Sequence, residues 1–254
     1  MIRLADNQKE LLTPLFSNIQ DSLVTSCIQN YFGTAWVDDI SAPATGRIIS
    51  GDFAFLAGEP RDEFIYEEGG ELLRPEMMMI PDSSLWHPLI ERAYGDHCQK
   101  LERYHIKKEG DIFDRDLLRN YASSLEADYT LKEIDHALYG SIMASDWCRD
   151  FCSQFADWEH YHKKGMGFVA CKDGTIVSGA SSYTSYREGI EIQIITHEDY
   201  RRKGLALVCA SALMLKALEH HLYPNWDAGN KASVGVATKL GYHYDRPYTA
   251  YLSK

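Results

Sequence analysis

The residues best suited to chemistry lie in one stretch, Gly189 to Ala217, GIEIQIITHEDYRRKGLALVCASALMLKA. Arg201, Arg202 and Lys203 place three cations directly before Gly204. An apolar run from Leu205 to Ala217 follows, broken only by Ser211 and Lys216. If that run is a helix, its first backbone N–H groups have no intrahelical acceptor. With basic side chains beside them and a glycine that permits close approach, they would bind a phosphate or another anion. The same residues also suit a basic surface turn between two core elements, and spacing alone does not choose between the two. His197 precedes the turn; its imidazole titrates near neutral pH, and its position suits orienting the loop better than acting as a base. The cysteines, Cys27, Cys98, Cys148, Cys152, Cys171 and Cys209, are dispersed. The nearest pair is C-x-x-x-C, whereas a structural zinc site needs about four ligands. They read as buried thiols, and no metal is expected.

These groups require elements to hold them. Alternation of Ile190, Ile192 and Ile194 with Glu191, Gln193 and Ile195 predicts a strand running into the basic turn. Upstream, Gly167–Cys171 and Thr175–Tyr183 read as a hairpin around Asp173-Gly174. Downstream, Leu222–Trp226 reads as a short strand, Asn230–Leu240 as a helix and Tyr242–Tyr251 as a last strand. Thr130-Leu131-Lys132-Glu133 has the form of a capping box and predicts a helix through Ile134, Leu138, Ile142 and Met143. A second helix is expected from Ser145 to Tyr161, with Trp147, Phe151, Phe155 and Trp158 on one side. That stripe suits a core and would also suit the wall of a cleft. In the first half, a helix is expected within Asn7–Tyr31, interrupted by Pro14. Strands are expected at Thr34–Val37, Thr45–Ser50, Phe53–Ala57, within Glu71–Ile80 and at Leu101–Lys107, and helices near Leu85–Tyr94 and Asp114–Leu125.

Within this framework Arg201-x-x-Gly204-x-Ala206 resembles the Q/R-x-x-G-x-G/A motif of the GNAT-type N-acetyltransferases, and the preceding strand resembles that family's fourth strand. The likeness continues through WDAGNKASVGVATKLGY, and its wording resembles a bacterial branch of zwittermicin-resistance-type enzymes. The resemblance covers residues 130–254. It implies acetyl-CoA as cosubstrate, with the pyrophosphate on the backbone of Arg202, Lys203, Gly204, Leu205 and Ala206, and with Arg201 and Lys203 supplying charge. It implies that the pantetheine arm pairs with Ile194, Ile195 and Thr196 and passes near Asn230 and Ser233. It places Glu191 where several relatives carry a base, and the Thr196 N–H where an acetyl carbonyl could be polarised. A solvated glutamate and an ordinary strand-end N–H fit those two positions equally. Ala237 stands where many relatives have a tyrosine that protonates the leaving thiolate. Tyr242, Tyr244 and Tyr248 are the remaining candidates for that role, and the transfer can also proceed without a dedicated acid. Asp227 could contact a cationic amine or stabilise the turn before Asn230.

The chain has 254 residues, 45% hydrophobic and 25% charged, with a formal net charge of −11. That balance is ordinary for a soluble globular protein. It disfavours nucleic acid as a partner, because backbone binding needs positive charge. The thirteen-residue apolar run is too short to span a bilayer. With no apolar signal core at the start, a cytoplasmic location is expected. The expected fold is α+β: an N-terminal α+β domain over residues 1–125, read as a degenerate acetyltransferase-like half, and a GNAT-like mixed sheet flanked by helices over 126–254. The expected activity is transfer of acetyl from acetyl-CoA to a primary amine of a small molecule, with a homodimer compatible with the sequence. Protein or peptide N-acetylation and non-catalytic acyl-CoA sensing are the alternatives.

Overall fold

The computed structural model describes all 254 residues, which fall into two units: residues 1–103 with 247–254, and residues 104–246. The chain leaves the first unit inside one strand and returns to it inside the last. The division expected at residue 125 lies within the second unit. Leu118 belongs to that unit's apolar core, with Phe113 and Tyr121 packed against it, and the Arg115 guanidinium donates to the Leu218 carbonyl.

In the first unit β1 (Ile2–Arg3) is followed by a 3-10 segment at Asp6–Leu12 and by α1 (Ser22–Ile28), so the helix expected across Asn7–Tyr31 is two short pieces. Then come β2 (Thr34–Val37), β3 (Thr45–Ser50), β4 (Phe53–Gly58), β5 (Met78–Pro81) and α2 (His87–Tyr94). Strands β1 to β4 are antiparallel neighbours in sequence order, and β5 runs parallel to β4. The end of the last strand, β13 (Tyr244–Ser253), pairs antiparallel with β5 through Tyr251 and Leu252. Residues 59–77 contain no helix beyond a 3-10 turn at Asp62–Phe64, and a single antiparallel bridge between Tyr66 and Leu72. Phe64, Ile65, Leu73 and Met77 from this segment nevertheless fill the core against Trp36, Leu56 and Met79. The buried Arg47 guanidinium holds the segment by donating to the Phe64 and Tyr66 carbonyls, and it lies 4.5 Å from the centroid of the Trp36 ring.

The chain enters the second unit within β6 (Cys98–Ile106) and continues through α3 (Arg115–Ala122), β7 (Tyr129–Glu133), α4 (His136–Met143) and α5 (Trp158–Lys164). Next are β8 (Gly167–Lys172), β9 (Thr175–Tyr186), β10 (Gly189–Thr196) and α6 (Leu205–Glu219). The unit closes with β11 (Tyr223–Asn225), β12 (Asp227–Ala228) and α7 (Lys231–Lys239). Its five-stranded sheet has the order β11-β10-β9-β8-β7. Neighbours are antiparallel except β10 and β11, which are parallel. This is the order and sense of β1 to β5. No helix is long and apolar enough to cross a membrane.

Two local expectations fail for physical reasons. Residues 130–133 do not cap a helix. Tyr129 and Leu131 turn inward while Thr130 and Lys132 turn out, and all five residues of the segment pair with β8. The helix starts later, where the Asp135 carboxylate accepts from the Leu138 N–H at 2.8 Å. Nor is 145–161 one helix. A 3-10 turn at Arg149–Phe151 precedes α5, which Asp157 caps by accepting from the His160 N–H. The stripe Trp147, Phe151, Phe155 and Trp158 therefore does not lie along one helix.

Candidate active site

The site is made by a parting of strands. β10 pairs with β9 along its full length, from Gly189↔Tyr186 to Thr196↔Ser178. On its other edge it pairs with β11 for three residues only: Gly189↔Tyr223, Ile190↔Pro224 and Glu191↔Asn225. Beyond Trp226 the chain pairs elsewhere, with Asp227 and Ala228 of β12 against His105 and Tyr104 of β6. From Ile192 to Thr196 the β11-side edge of β10 has no strand partner. Burial follows the geometry: residues 189–192 are buried and 193–196 only partly so. Where β10 loses β11, β9 bulges. Glu191 stands opposite Thr184 and Ile192 opposite Ser182, leaving Tyr183 as the extra residue.

Glu191 sits at the apex, 5% exposed. One carboxylate oxygen accepts from Asn225 Nδ2 at 2.8 Å and the other from the Asp227 N–H at 3.0 Å. It thus clasps the last residue of β11 and the first of β12 to β10. Asp227, expected to act through its side chain, contributes its backbone N–H here. Asn225 was missed because nothing in Leu222–Trp226 signals where the strands part.

At the open end, the Thr196 carbonyl accepts from Arg201 Nε at 3.4 Å, and its hydroxyl lies 2.7 Å from Ser178 Oγ. Thr196 is four residues, about 13 Å at strand rise, from Ile192 at the apex. A 3-10 turn at Glu198–Tyr200 leads into the basic loop. Arg202 and Gly204 both have positive φ, 64° and 78°, and fold the loop back onto the start of α6. No side chain caps that helix, so the N–H groups of Leu205, Ala206 and Leu207 point to the loop without an intrahelical acceptor. A Cβ at Gly204 would meet nothing within 4 Å. Arg201, Arg202, Lys203 and Gly204 are exposed around this opening. His197 packs edge-on to Trp147 at 5.3 Å and against Tyr200 at 6.0 Å, which makes it a buttress of the loop.

Asn230 caps α7, its Oδ1 accepting from the Ser233 N–H at 2.9 Å, and Ser233 Oγ accepts from Trp226 Nε1 at 3.0 Å. Both residues therefore already have structural work at the foot of α7. Ala237 is buried. The Tyr242 hydroxyl is also buried and donates to the Pro224 carbonyl, and burial holds its pKa well above the phenol range. A buried phenol committed to a carbonyl is a poor proton donor to a departing thiolate. Cys209 lies inside α6, its pKa pushed up to about 12 by burial, which suits packing and not nucleophilic attack. No cluster of His, Cys, Asp or Glu could hold a metal ion.

A slot flanked by a carboxylate at one end and free helix N–H groups at the other suits an elongated anionic ligand with its reactive end at the apex. The family model for GNAT acetyltransferases matches residues 13–251, and the chain belongs to that family. It is similar to an uncharacterized N-acetyltransferase, YdfB, of Bacillus subtilis strain 168, with 26% identity over 236 residues, 87% of this chain and 85% of that protein. The crystal structure of a GCN5-related N-acetyltransferase-like protein from Streptococcus suis superposes with a TM-score of 0.91 and 35% identity, covering 98% of this chain and 99% of that one. A tandem GNAT protein from the clavulanic acid biosynthesis pathway shares the fold alone, with a TM-score of 0.50 and 14% identity over 98% of this chain and 96% of its own. The family match extends the likeness from the second half to nearly the whole chain. The fold is the GNAT fold, α+β with mixed sheets and helices, and the function is acetyl transfer of GNAT type.

Proposed function

We propose that the protein moves acetyl from acetyl-CoA to the primary amine of a small molecule by direct attack in a ternary complex. The observation that carries this reading is the parting of β10 from β11 immediately after Glu191, with the uncapped start of α6 at the open end. The pyrophosphate takes the N–H groups between Arg202 and Ala206, with Arg201 and Lys203 supplying positive charge. The pantetheine arm lies along Ile194, Ile195 and Thr196 and ends beside the bulge. The His197 N–H donates to Val177 on the β9 side, so by alternation the N–H groups of Ile192, Ile194 and Thr196 face the open edge, and one of this set, with Thr196 the one the resemblance implies, polarises the acetyl carbonyl. Glu191 takes the proton of the incoming ammonium. Asn230 and Ser233 border the arm from the foot of α7. With Ala237 in place of a tyrosine and the Tyr242 hydroxyl committed, CoA leaves as the thiolate without a dedicated acid.

The first unit is read as a degenerate acetyltransferase half. It repeats the strand order and sense of the second, yet residues 59–77 supply no helix where the second unit has α6. The resemblance of ITHEDYRRKGLA and WDAGNKASVGVATKLGY to zwittermicin-resistance-type enzymes makes amine-bearing antibiotics the first acceptors to try. CoA release is measured against a panel of aminoglycosides, peptide-like antibiotics, simple amines and peptides, beside calorimetry with acetyl-CoA. Acceptor-dependent release by a small amine is expected. Release with peptides alone would reassign the acceptor. Tight acetyl-CoA binding with no transfer would favour an acyl-CoA sensor, a reading that the two engaged oxygens of Glu191 and the missing tyrosine support.

A further inference from the structure

Lys108, in the segment between β6 and α3, has its amine stationed on the reacting face of the second unit. Nζ donates to the Tyr186 hydroxyl at 2.9 Å and lies 4.8 Å from the centroid of the Tyr186 ring and 5.4 Å from that of Tyr223. Both tyrosines stand opposite Gly189, Tyr186 on β9 and Tyr223 on β11. A Cβ on Gly189 would fall 2.5 Å from the Tyr186 hydroxyl, so that phenol crosses the face to which Gly189 points. Side chains two apart share a face, and Glu191 is the next residue of β10 on it, about 7 Å along the strand. The cation is therefore held by a phenol and two ring faces beside the carboxylate that would serve as base. Desolvation holds the Lys108 pKa below the ordinary lysine range, against the opposing pull of Glu188 and Glu191. More of the amine is then neutral, the form that attacks a thioester.

We propose that Lys108 is acetylated by the protein's own active site. The proposal rests on the acetyl-CoA reading of the slot. The side chain leaves Tyr186 and turns on its four-carbon stem toward the apex. One ammonium proton passes to the Glu191 carboxylate. The neutral amine attacks the acetyl carbonyl, the C–N bond forms, and the C–S bond breaks. The departing sulfur takes the second proton, and Glu191 returns the first to solvent. The product is an uncharged acetamide and free CoA. It removes the cation from between the two tyrosine rings, and each chain undergoes the reaction once.

The test incubates the full chain with acetyl-CoA and no acceptor and maps acetyl-lysine by mass spectrometry. Lys107, exposed and adjacent, is the internal standard. Acetyl-CoA binding is followed in parallel by calorimetry. Lys108 should be acetylated about tenfold above Lys107, a modest gain for a positioned amine. Gly204→Trp, or excess free CoA added to the unmutated protein, should abolish the difference. Equal modification at the two lysines, or an excess at Lys108 that survives CoA competition, overturns the proposal while acetyl-CoA binding leaves the reading of the slot standing. Absence of acetyl-CoA binding overturns both.

Discussion

Glu191 fastens the sheet, and the proposed mechanism also asks it to act as base. Its two oxygens accept from donors on separate strands, Asn225 Nδ2 and the Asp227 N–H. Glu191→Gln keeps the shape but replaces one acceptor with an NH2 group, so one buried donor loses its partner at a cost of about 1–3 kcal/mol. The expected outcome is a lower melting temperature together with a turnover that falls more than acetyl-CoA affinity. Thermal melts, CoA-release rates and calorimetry on the same preparation check it. A lower melting temperature with unchanged turnover would leave Glu191 a clasp and remove it as base. The alternation of β10 made the position of this residue legible in the sequence. Its partners were not, because they depend on where β11 stops, and a tripeptide of Tyr, Pro and Asn carries no periodicity that marks an end.

At the level of elements, the strand, basic turn and apolar helix were legible because each has an unambiguous local signature: alternation, a run of cations and glycine, then thirteen apolar-rich residues. The 130–161 region was not. Its capping-box pattern competed with five rungs of pairing to β8, and the sheet won. Asp135 and Asp157, with local side-chain hydrogen bonds at 2.8 Å, set the true helix starts. The loop before α6 depends on one backbone conformation. Gly204 at φ 78° has open space where a Cβ would go, so Gly204→Ala brings no clash. It brings only the left-handed penalty, roughly 1–2 kcal/mol for a residue with a Cβ. A modest drop in melting temperature and weaker acetyl-CoA binding are expected, read by melts and calorimetry. Affinity equal to that of the unmutated protein would mean that the loop does not receive the pyrophosphate.

At the scale of the whole molecule, the two units share a strand plan but differ at the feature that matters. In the second, β10 and β11 separate after three rungs. In the first, β4 and β5 stay paired from Phe53↔Met78 to Leu56↔Pro81. Beyond that, the Asp82 N–H donates to the Leu56 carbonyl and its carboxylate accepts from the Gly58 N–H at 2.9 Å, so no slot opens. One acetyl-CoA per chain is therefore expected in a calorimetric titration of the unmutated protein, and a stoichiometry of two would reopen the first unit as a binding site. The sequence could not show where the units divide, because α3 joins the second unit through side chains that read as any amphipathic helix would. The return of residues 247–254 to the first unit has a consequence for biosynthesis. Tyr251 and Leu252 pair with Met79 and Met78, and the Ser253 hydroxyl bonds the Arg74 carbonyl. A ribosome that has released residues 1–103 has delivered a unit still lacking its final strand. The β5 edge of that unit gains its β13 partner only after residues 104–246 have also been synthesised.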